Sequence, residues 1–141
     1  MLNFIQYRID LHRQARAALK HELNRPSGTQ AAYESGQLEE FYRQADRLHE
    51  WRMIILTSYL RSVADDLIVP MPPLDDRTMY AQVDWDDDPR QPKYLTEKGI
   101  QTVRTAIREE QKHRREAWTF RLTTLTGLGG IAIGILSAWP K

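Results

Sequence analysis

The chain has 141 residues, of which 28% are charged, and its formal net charge is +1. It contains no cysteine, which excludes disulfide bonds, thiol catalysis and cysteine-based zinc sites. The near-neutral total hides a net charge of −4 over residues 1–97 and +4 over residues 98–121, so the composition does not indicate a globally basic nucleic-acid-binding protein.

Residues 1–25 predict an amphipathic helix that ends at Arg25, because the residue before a proline is disfavoured in helical conformation. Its apolar stripe recurs at helical spacing and contains Leu2, Ile5, Ile9 and Leu19. We expect this stripe to pack against the next helix. The alternative is that the helix lies on a membrane surface, with its basic side drawn to anionic lipid.

Residues 1–95 are expected to form a helical head. Residues 37–69 predict its longest helix, after a short helical piece capped by Ser27 or Thr29. The run Met53–Leu56 is apolar on all sides, which indicates contacts on more than one face. The helices 1–25 and 37–69 should therefore form a helical hairpin.

Residues 70–95 predict an irregular connector, because prolines at positions 70, 72 and 73 end the preceding helix. Within it, residues 79–85 predict a short strand that pairs with residues 93–95. Thr96 then has the position and side chain of an N-cap for the next helix.

Residues 96–121 predict a juxtamembrane helix. Its first turns carry a stripe, Ile100, Val103 and Ile107, that can dock on the hairpin. From residue 108 to residue 116 the sequence is polar on every side, which is typical of a stalk in solvent or lipid headgroups. We expect Arg114, Arg115 and Arg121 to reach lipid phosphates.

The uncharged residues 122–139 predict a single transmembrane helix. Trp118, Phe120 and Trp139 flank it, as aromatic side chains do at membrane interfaces. Trp118 and Trp139 would lie about 31 Å apart on a helix, close to the thickness of the hydrocarbon core. The alternative is a buried C-terminal helix of a soluble oligomer.

Basic residues are concentrated before this span, and beyond it only Lys141 is charged. The positive-inside rule therefore predicts a protein of the cell membrane with a cytoplasmic head and the C-terminus on the opposite side. Because the span would become available only when synthesis is finished, we expect a tail-anchored protein. A ladder of small residues follows one face of the span and consists of Thr126, Gly130, Gly134 and Ala138. Such ladders let helices approach closely in lipid, so we expect a homo-oligomer formed through the span.

The search for chemistry predicts no catalytic residue, metal ligand or cofactor. His21-Glu22 and His49-Glu50 begin like a zinc-protease helix, but both lack the second histidine. Asp46 and His49 share a helix face, and Asp84, Asp86 and Asp88 alternate as at the start of a calcium loop, yet neither set has the remaining ligands that such sites need.

The six residues from Tyr94 to Gly99, YLTEKG, resemble the strand-to-helix junction after the wing of winged-helix regulators. In that family a recognition helix precedes the wing, whereas here a proline-rich connector occupies the place. No nucleic-acid binding is therefore predicted.

Together these patterns predict an all-α protein with a helical-hairpin head, a long juxtamembrane helix and one C-terminal span. The expected function is a non-catalytic, oligomeric adaptor or interaction module whose head binds a protein partner at the lipid bilayer. One alternative is a small membrane-active effector that forms pores or depolarises the membrane. A second alternative is a membrane-anchored enzyme.

Overall fold

The computed structural model describes residues 2–85 and 91–137, and for residues 2, 121, 122 and 124–137 it describes the backbone alone. Within this part the chain is mostly helical, as predicted, with two short strands in addition. The elements are α1 (Leu2–Leu23), α2 (Gln30–Glu34), α3 (Gln37–Leu67), β1 (Tyr80–Gln82), β2 (Lys93–Leu95) and α4 (Glu97–Ser137).

Helix α3 lies at the centre of the head. One of its faces packs against the β1–β2 hairpin and the first turns of α4, and α1 packs against the other. The apolar core lies on the hairpin side and consists of Met53, Leu60, Ala64, Val69, Tyr80, Leu95, Ile100, Val103 and Ile107. The run Met53–Leu56 is buried or half-buried throughout, because its members face both neighbours.

The β1–β2 hairpin is attached to α3 by a buried hydrogen bond. The strands are antiparallel and Tyr80 lies opposite Leu95. Hydrogen bonds between the strands run from the N–H of Thr96 to the carbonyl of Met79 and from the N–H of Val83 to the carbonyl of Pro92. Because hydrogen-bonded and non-hydrogen-bonded pairs alternate along an antiparallel ladder, Tyr80 and Leu95 form a pair without hydrogen bonds to each other. The N–H of Leu95 therefore points away from β1, and it donates to Oγ1 of Thr57 at 2.8 Å.

Thr96 caps α4, as predicted, because its Oγ1 accepts a hydrogen bond from the N–H of Gly99 at 3.2 Å. Thr29 caps α2 in the same way, accepting from the N–H of Ala32 at 3.4 Å. Gly99 is required where α4 meets the hairpin. A Cβ at this position would lie only 2.4 Å from the carbonyl oxygen of Met79.

Helix α1 runs antiparallel to α3. Its Asn3 side chain donates to Oγ of Ser62 at 2.6 Å, and near its other end the ring Nε2 of His21 lies 3.0 Å from the carbonyl oxygen of Phe41. Between them, Gln14 is buried and donates to the carbonyl of Leu48 at 2.9 Å.

The prediction that the apolar stripe of α1 packs against the next helix is wrong for three of its four residues, and the fourth, Leu2, lies outside the described side chains. Ile5, Ile9 and Leu19 are exposed. The inward face carries Gln14, two alanines at positions 17 and 18, and two rings that stack on rings of α3. The ring centroids of Tyr7 and Tyr59 are 4.1 Å apart, and those of His21 and Phe41 are 4.0 Å apart. Small side chains, ring stacking and one buried hydrogen bond therefore decide which face packs, and hydrophobic periodicity records none of these contacts.

The C-terminus of α3 is a Schellman motif. The N–H of Val69 bonds the carbonyl of Ala64, and the N–H of Ile68 bonds that of Asp65. Val69 and Ala64 are both buried in the core, which supplies the apolar contact usual in this motif. Ile68 adopts the left-handed conformation, with φ of 61°, at the position where glycine is the common residue.

Candidate functional site

An open groove of about 1090 Å³ lies between α3 and the part of the connector that follows β1, at Asp84. Four carboxylates face it, together with two arginines, one histidine and three tyrosines. The polar and aromatic lining comprises Glu39, Asp46, Glu50, Asp84, Arg43, Arg47, His49, Tyr33, Tyr42 and Tyr94. Because most of these side chains are exposed and their charges are mixed, the groove is suited to polar contacts with a partner.

Two hydrogen bonds hold the connector against α3 at this groove. The N–H of Asp84 donates to Oε1 of Glu50 at 3.4 Å, and Nη2 of Arg47 donates to the carbonyl of Trp85 at 3.4 Å. Both are long, and both lie at the solvent-exposed surface. The groove wall formed by Asp84 and Trp85 is therefore attached to α3 more weakly than strand β2, whose hydrogen bond to Thr57 is short and buried.

Tyr94 lines the groove from β2, and its pKa is raised above the ordinary tyrosine value. Burial raises the pKa of its hydroxyl, and the negative charges of Glu50 and Asp46 raise it further. The neutral phenol therefore persists to higher pH than in a free tyrosine, and it offers a hydrogen-bond donor near the carboxylates of Glu50 and Asp46.

The groove brings together residues that the sequence had singled out separately. Asp46 and His49 line it from α3, and Asp84 lines it from the connector. Within the described residues no group of three or more histidine, aspartate or glutamate side chains could hold a metal ion. Asp86 and Asp88, the other members of the predicted acidic patch, lie outside those residues.

The outer face of α1 is a second surface of interest. It presents Ile5, Ile9, Leu19 and Leu23 to solvent at a spacing close to that of a coiled-coil seam. Leu23 is 77% exposed and Leu19 is 63% exposed. Isolated apolar residues are normal on a protein surface, but a stripe along one helix is typical of an interaction site.

Helix α4 leaves the head later than its polar sequence suggests. Nη2 of Arg114 donates to the carbonyl of Leu67 at 2.7 Å, and Nε of Arg114 bonds Glu110 at 2.7 Å. The guanidinium thus gives a hydrogen-bond donor, and a favourable positive charge, to a carbonyl at the C-terminal end of α3 that has no partner within the helix. The structure places Arg114, predicted to reach lipid, in a contact with the head, while Arg115, Trp118 and Phe120 are exposed beyond it.

In the part of the chain that the structure describes, no helix is both long enough and apolar enough to cross a membrane. Of the predicted span, residues 122–139, the structure describes the helical backbone to Ser137 and the side chain of Thr123. The predicted packing and interface residues of this region lie outside the described side chains: Arg121, Thr126, Gly130, Gly134, Ala138 and Trp139. The span and its ladder stay predictions.

The tip of α3 is a feature that sequence reasoning missed. Ile68 is 87% exposed there, next to the carbonyl that Arg114 binds. A signal existed in the sequence: Asp65 and Asp66 are unfavourable in the last turn of a helix, and no basic residue accompanies them. That unfavourable end required a cation from elsewhere, which α4 supplies.

Comparisons of the chain with protein-family models, curated proteins and solved structures find no match.

Proposed function

We propose that this chain is a membrane-anchored, non-catalytic interaction module that works as an oligomer. The head binds a protein partner, the helix α4 connects it to the bilayer, and the small-residue ladder pairs copies of the chain. The head faces the cytoplasm and the C-terminus lies on the opposite side of the cell membrane.

The observation that carries this proposal is the continuity of α4. Its first turns are buried against α3, at Ile100, Val103 and Ile107. Residues 111–120 are exposed on every side, and the helical backbone then continues to Ser137 through an uncharged sequence. A continuous helix that begins in a core and ends in apolar sequence is suited to hold a head on a membrane.

The outer face of α1 supports the proposed partner binding. A helix that turns its apolar stripe away from its own core leaves area for another helix to cover. The stripe is not continuous along α1, since the polar residues His12 and Arg16 interrupt it. Such a mixed surface fits a partner that dissociates from the head more readily than an obligate subunit would.

Alkaline carbonate washing of membranes tests the anchor. The full chain should stay with the membrane, whereas a chain truncated after Glu116 should be released. This end point keeps the contact between Arg114 and Leu67, so loss of the membrane fraction cannot be attributed to a damaged head. Quantitative release of the full chain would refute the anchor.

Crosslinking of the full chain in membranes tests the oligomer. Replacing Gly130 and Gly134 by isoleucine should abolish the crosslinked dimer while membrane association is retained, because close approach is blocked and apolarity rises. The control replaces Gly129 and Ala132 by isoleucine, which adds the same kind of side chain roughly 100° or more away on the helix. Equal loss in both variants would contradict the ladder.

The α1 surface is tested by the pair Ile9→Ser and Leu19→Ser in the full chain, with Gln6→Ser and Lys20→Ser as a polar control on the same helix. Site-specific photocrosslinks from α1 to the partner should disappear in the first pair alone. A self-crosslink that disappears instead would show that the stripe joins two copies. Depolarisation of cells on expression would favour the membrane-active effector over the interaction module.

A further inference from the structure

The tip of α3 carries an isoleucine in a place where local physical chemistry opposes it. Ile68 has φ of 61°, a left-handed conformation that a β-branched residue adopts only under strain. Its side chain is also 87% exposed, so the strain is not offset by burial in the head. Glycine would end the helix with the same two backbone hydrogen bonds and without the strain.

The tip is held beside α4 close to the predicted membrane interface. The bond from Arg114 to the carbonyl of Leu67 sets the level of Ile68 along α4. Trp118 follows Arg114 by one turn, about 6 Å further along the axis and about 40° around it. Trp118 is 63% exposed, so two uncovered apolar side chains lie on the same side of the stalk.

The charges around the tip do not favour binding to an anionic surface over a zwitterionic one. Asp65 and Asp66 are exposed on the last turn of α3, and the guanidinium of Arg114 lies against the same end of that helix. Charges of both signs therefore surround an apolar point, which matches the zwitterionic headgroup layer of a bilayer. That layer is roughly 5–7 Å thick on each side of the hydrocarbon core, about the step from Ile68 to Trp118.

We propose that Ile68 inserts into the headgroup layer of the bilayer that anchors α4, so that the head stands on the membrane at two points. This inference rests on the proposed anchor. Burial of Ile68 against lipid supplies the stabilisation that the head itself does not give to a strained, exposed side chain. A second contact also restricts rotation of the head about α4, and it orients the groove and the outer face of α1 relative to the membrane.

The absence of cysteine permits a direct test in the full chain. A single environment-sensitive label is placed at Ile68→Cys, with Leu23→Cys as the control, because Leu23 is equally apolar and 77% exposed at the opposite end of the head. The protein is reconstituted in phosphatidylcholine vesicles that contain spin-labelled lipid. The label at position 68 should show a blue-shifted emission and strong quenching, and the label at position 23 should show neither.

Failure of the anchor and failure of this inference give different results. A chain that does not float with the vesicles would refute the anchor itself. A chain that floats with both labels equally unquenched would leave the anchor standing and overturn the insertion of the tip. Quenching at position 68 that requires a high protein-to-lipid ratio would assign the contact to a second copy of the chain and would also overturn it.

A second experiment isolates the side chain of Ile68 from the label. The label is moved to Asp66→Cys, and the native Ile68 is compared with Ile68→Gly. If the isoleucine holds the tip at the lipid, the glycine variant should lose quenching at position 66 while its circular dichroism is unchanged. Equal quenching in the two proteins would mean that α4 alone sets the height of the tip, which overturns the role of Ile68.

Discussion

The two faces of α3 are held by different physical interactions. Towards the hairpin and α4, it contacts a continuous apolar cluster in which Leu95, Val103 and Ala64 are almost completely buried. Towards α1, the contact is made by a buried glutamine, small side chains and stacked rings. The apolar cluster gives the larger share of stability, since burial of apolar area is the dominant favourable term in folding.

This difference divides the head into a stable part and a less stable part. The core of α3, the hairpin and α4 should open only with global unfolding, whereas α1 should open at a lower free energy. The same α1 carries the outward apolar stripe. A helix that opens more easily than the rest of its domain, as we expect of α1, and that is apolar on its free face is well suited to bind a partner, because it can adjust its position on binding.

The largest expected effect is the loss of the core on the hairpin side. Replacing Leu95 by alanine in the head truncated after Glu116 should lower the free energy of unfolding by about 2–5 kcal/mol, because Leu95 is fully buried and its removal leaves a cavity. Urea denaturation followed by circular dichroism measures it. The matched control, Leu23→Ala on α1, should change stability by less than about 0.5 kcal/mol. Equal losses would contradict the comparison.

A smaller effect is expected at the buried hydrogen bond between α3 and β2. Thr57→Val keeps the shape of the side chain and removes the acceptor for the N–H of Leu95. That N–H points away from the strand ladder, so it would be left without a partner in a buried place. The free energy of unfolding should fall by about 1–3 kcal/mol. Thr57→Ser, which keeps the acceptor, should lose less than Thr57→Val does.

The corresponding bond on the α1 side should matter less. Gln14 donates to the carbonyl of Leu48, which as an interior residue of α3 also accepts a bond within the helix. Gln14→Met keeps the length of the side chain and leaves no group unpaired, so the loss should be below about 1 kcal/mol. Hydrogen exchange of α1 amides, compared with those of α3, reports the result. A loss as large as that of Thr57→Val would show that α1 belongs to the stable part.

Local signals in the sequence predicted much of the fold. The caps at Thr29 and Thr96 lie where the side chain and position indicate, and the strand pair 80–82 with 93–95 falls within the predicted segments. Each of these features depends on a few consecutive residues. The stripe Ile100, Val103 and Ile107 also packs as predicted, because its apolar pattern coincides with the contacts that bury it.

The remaining features of the fold depend on which surfaces of the elements pack together. The sequence pattern of a single helix does not record this pairing. The inward face of α1 is chosen by partners on α3, such as Tyr59 for Tyr7 and the carbonyl of Leu48 for Gln14. The groove arises because the connector returns to α3 and brings Asp84 to Glu50. Separations of 34 residues or more between such partners lie beyond any local pattern.

The smallest expected effect concerns the pKa of Tyr94 in the groove. Its pKa is raised chiefly by burial and further by the charges of Glu50 and Asp46. In the unfolded chain the phenol ionises near pH 10. Between that pH and the raised value, the unfolded state has lost the proton and the folded state has not, so stability falls as the pH rises through this window.

Removing the two charges separates their effect from that of burial. The double variant Asp46→Asn and Glu50→Gln should titrate Tyr94 at a lower pH than the native chain does, yet still above the ordinary tyrosine value, because burial is the larger cause. Ultraviolet absorbance of the tyrosinate, with the Tyr94→Phe protein subtracted, gives the titration of this one group. Glu39→Gln is the control, since Glu39 lines the groove without contributing to the shift. An unchanged titration in the double variant would place both carboxylates too far from the phenol to act on it. Among the described residues, the role left to the carboxylate of Glu50 in the groove wall would then be to accept the hydrogen bond from the N–H of Asp84.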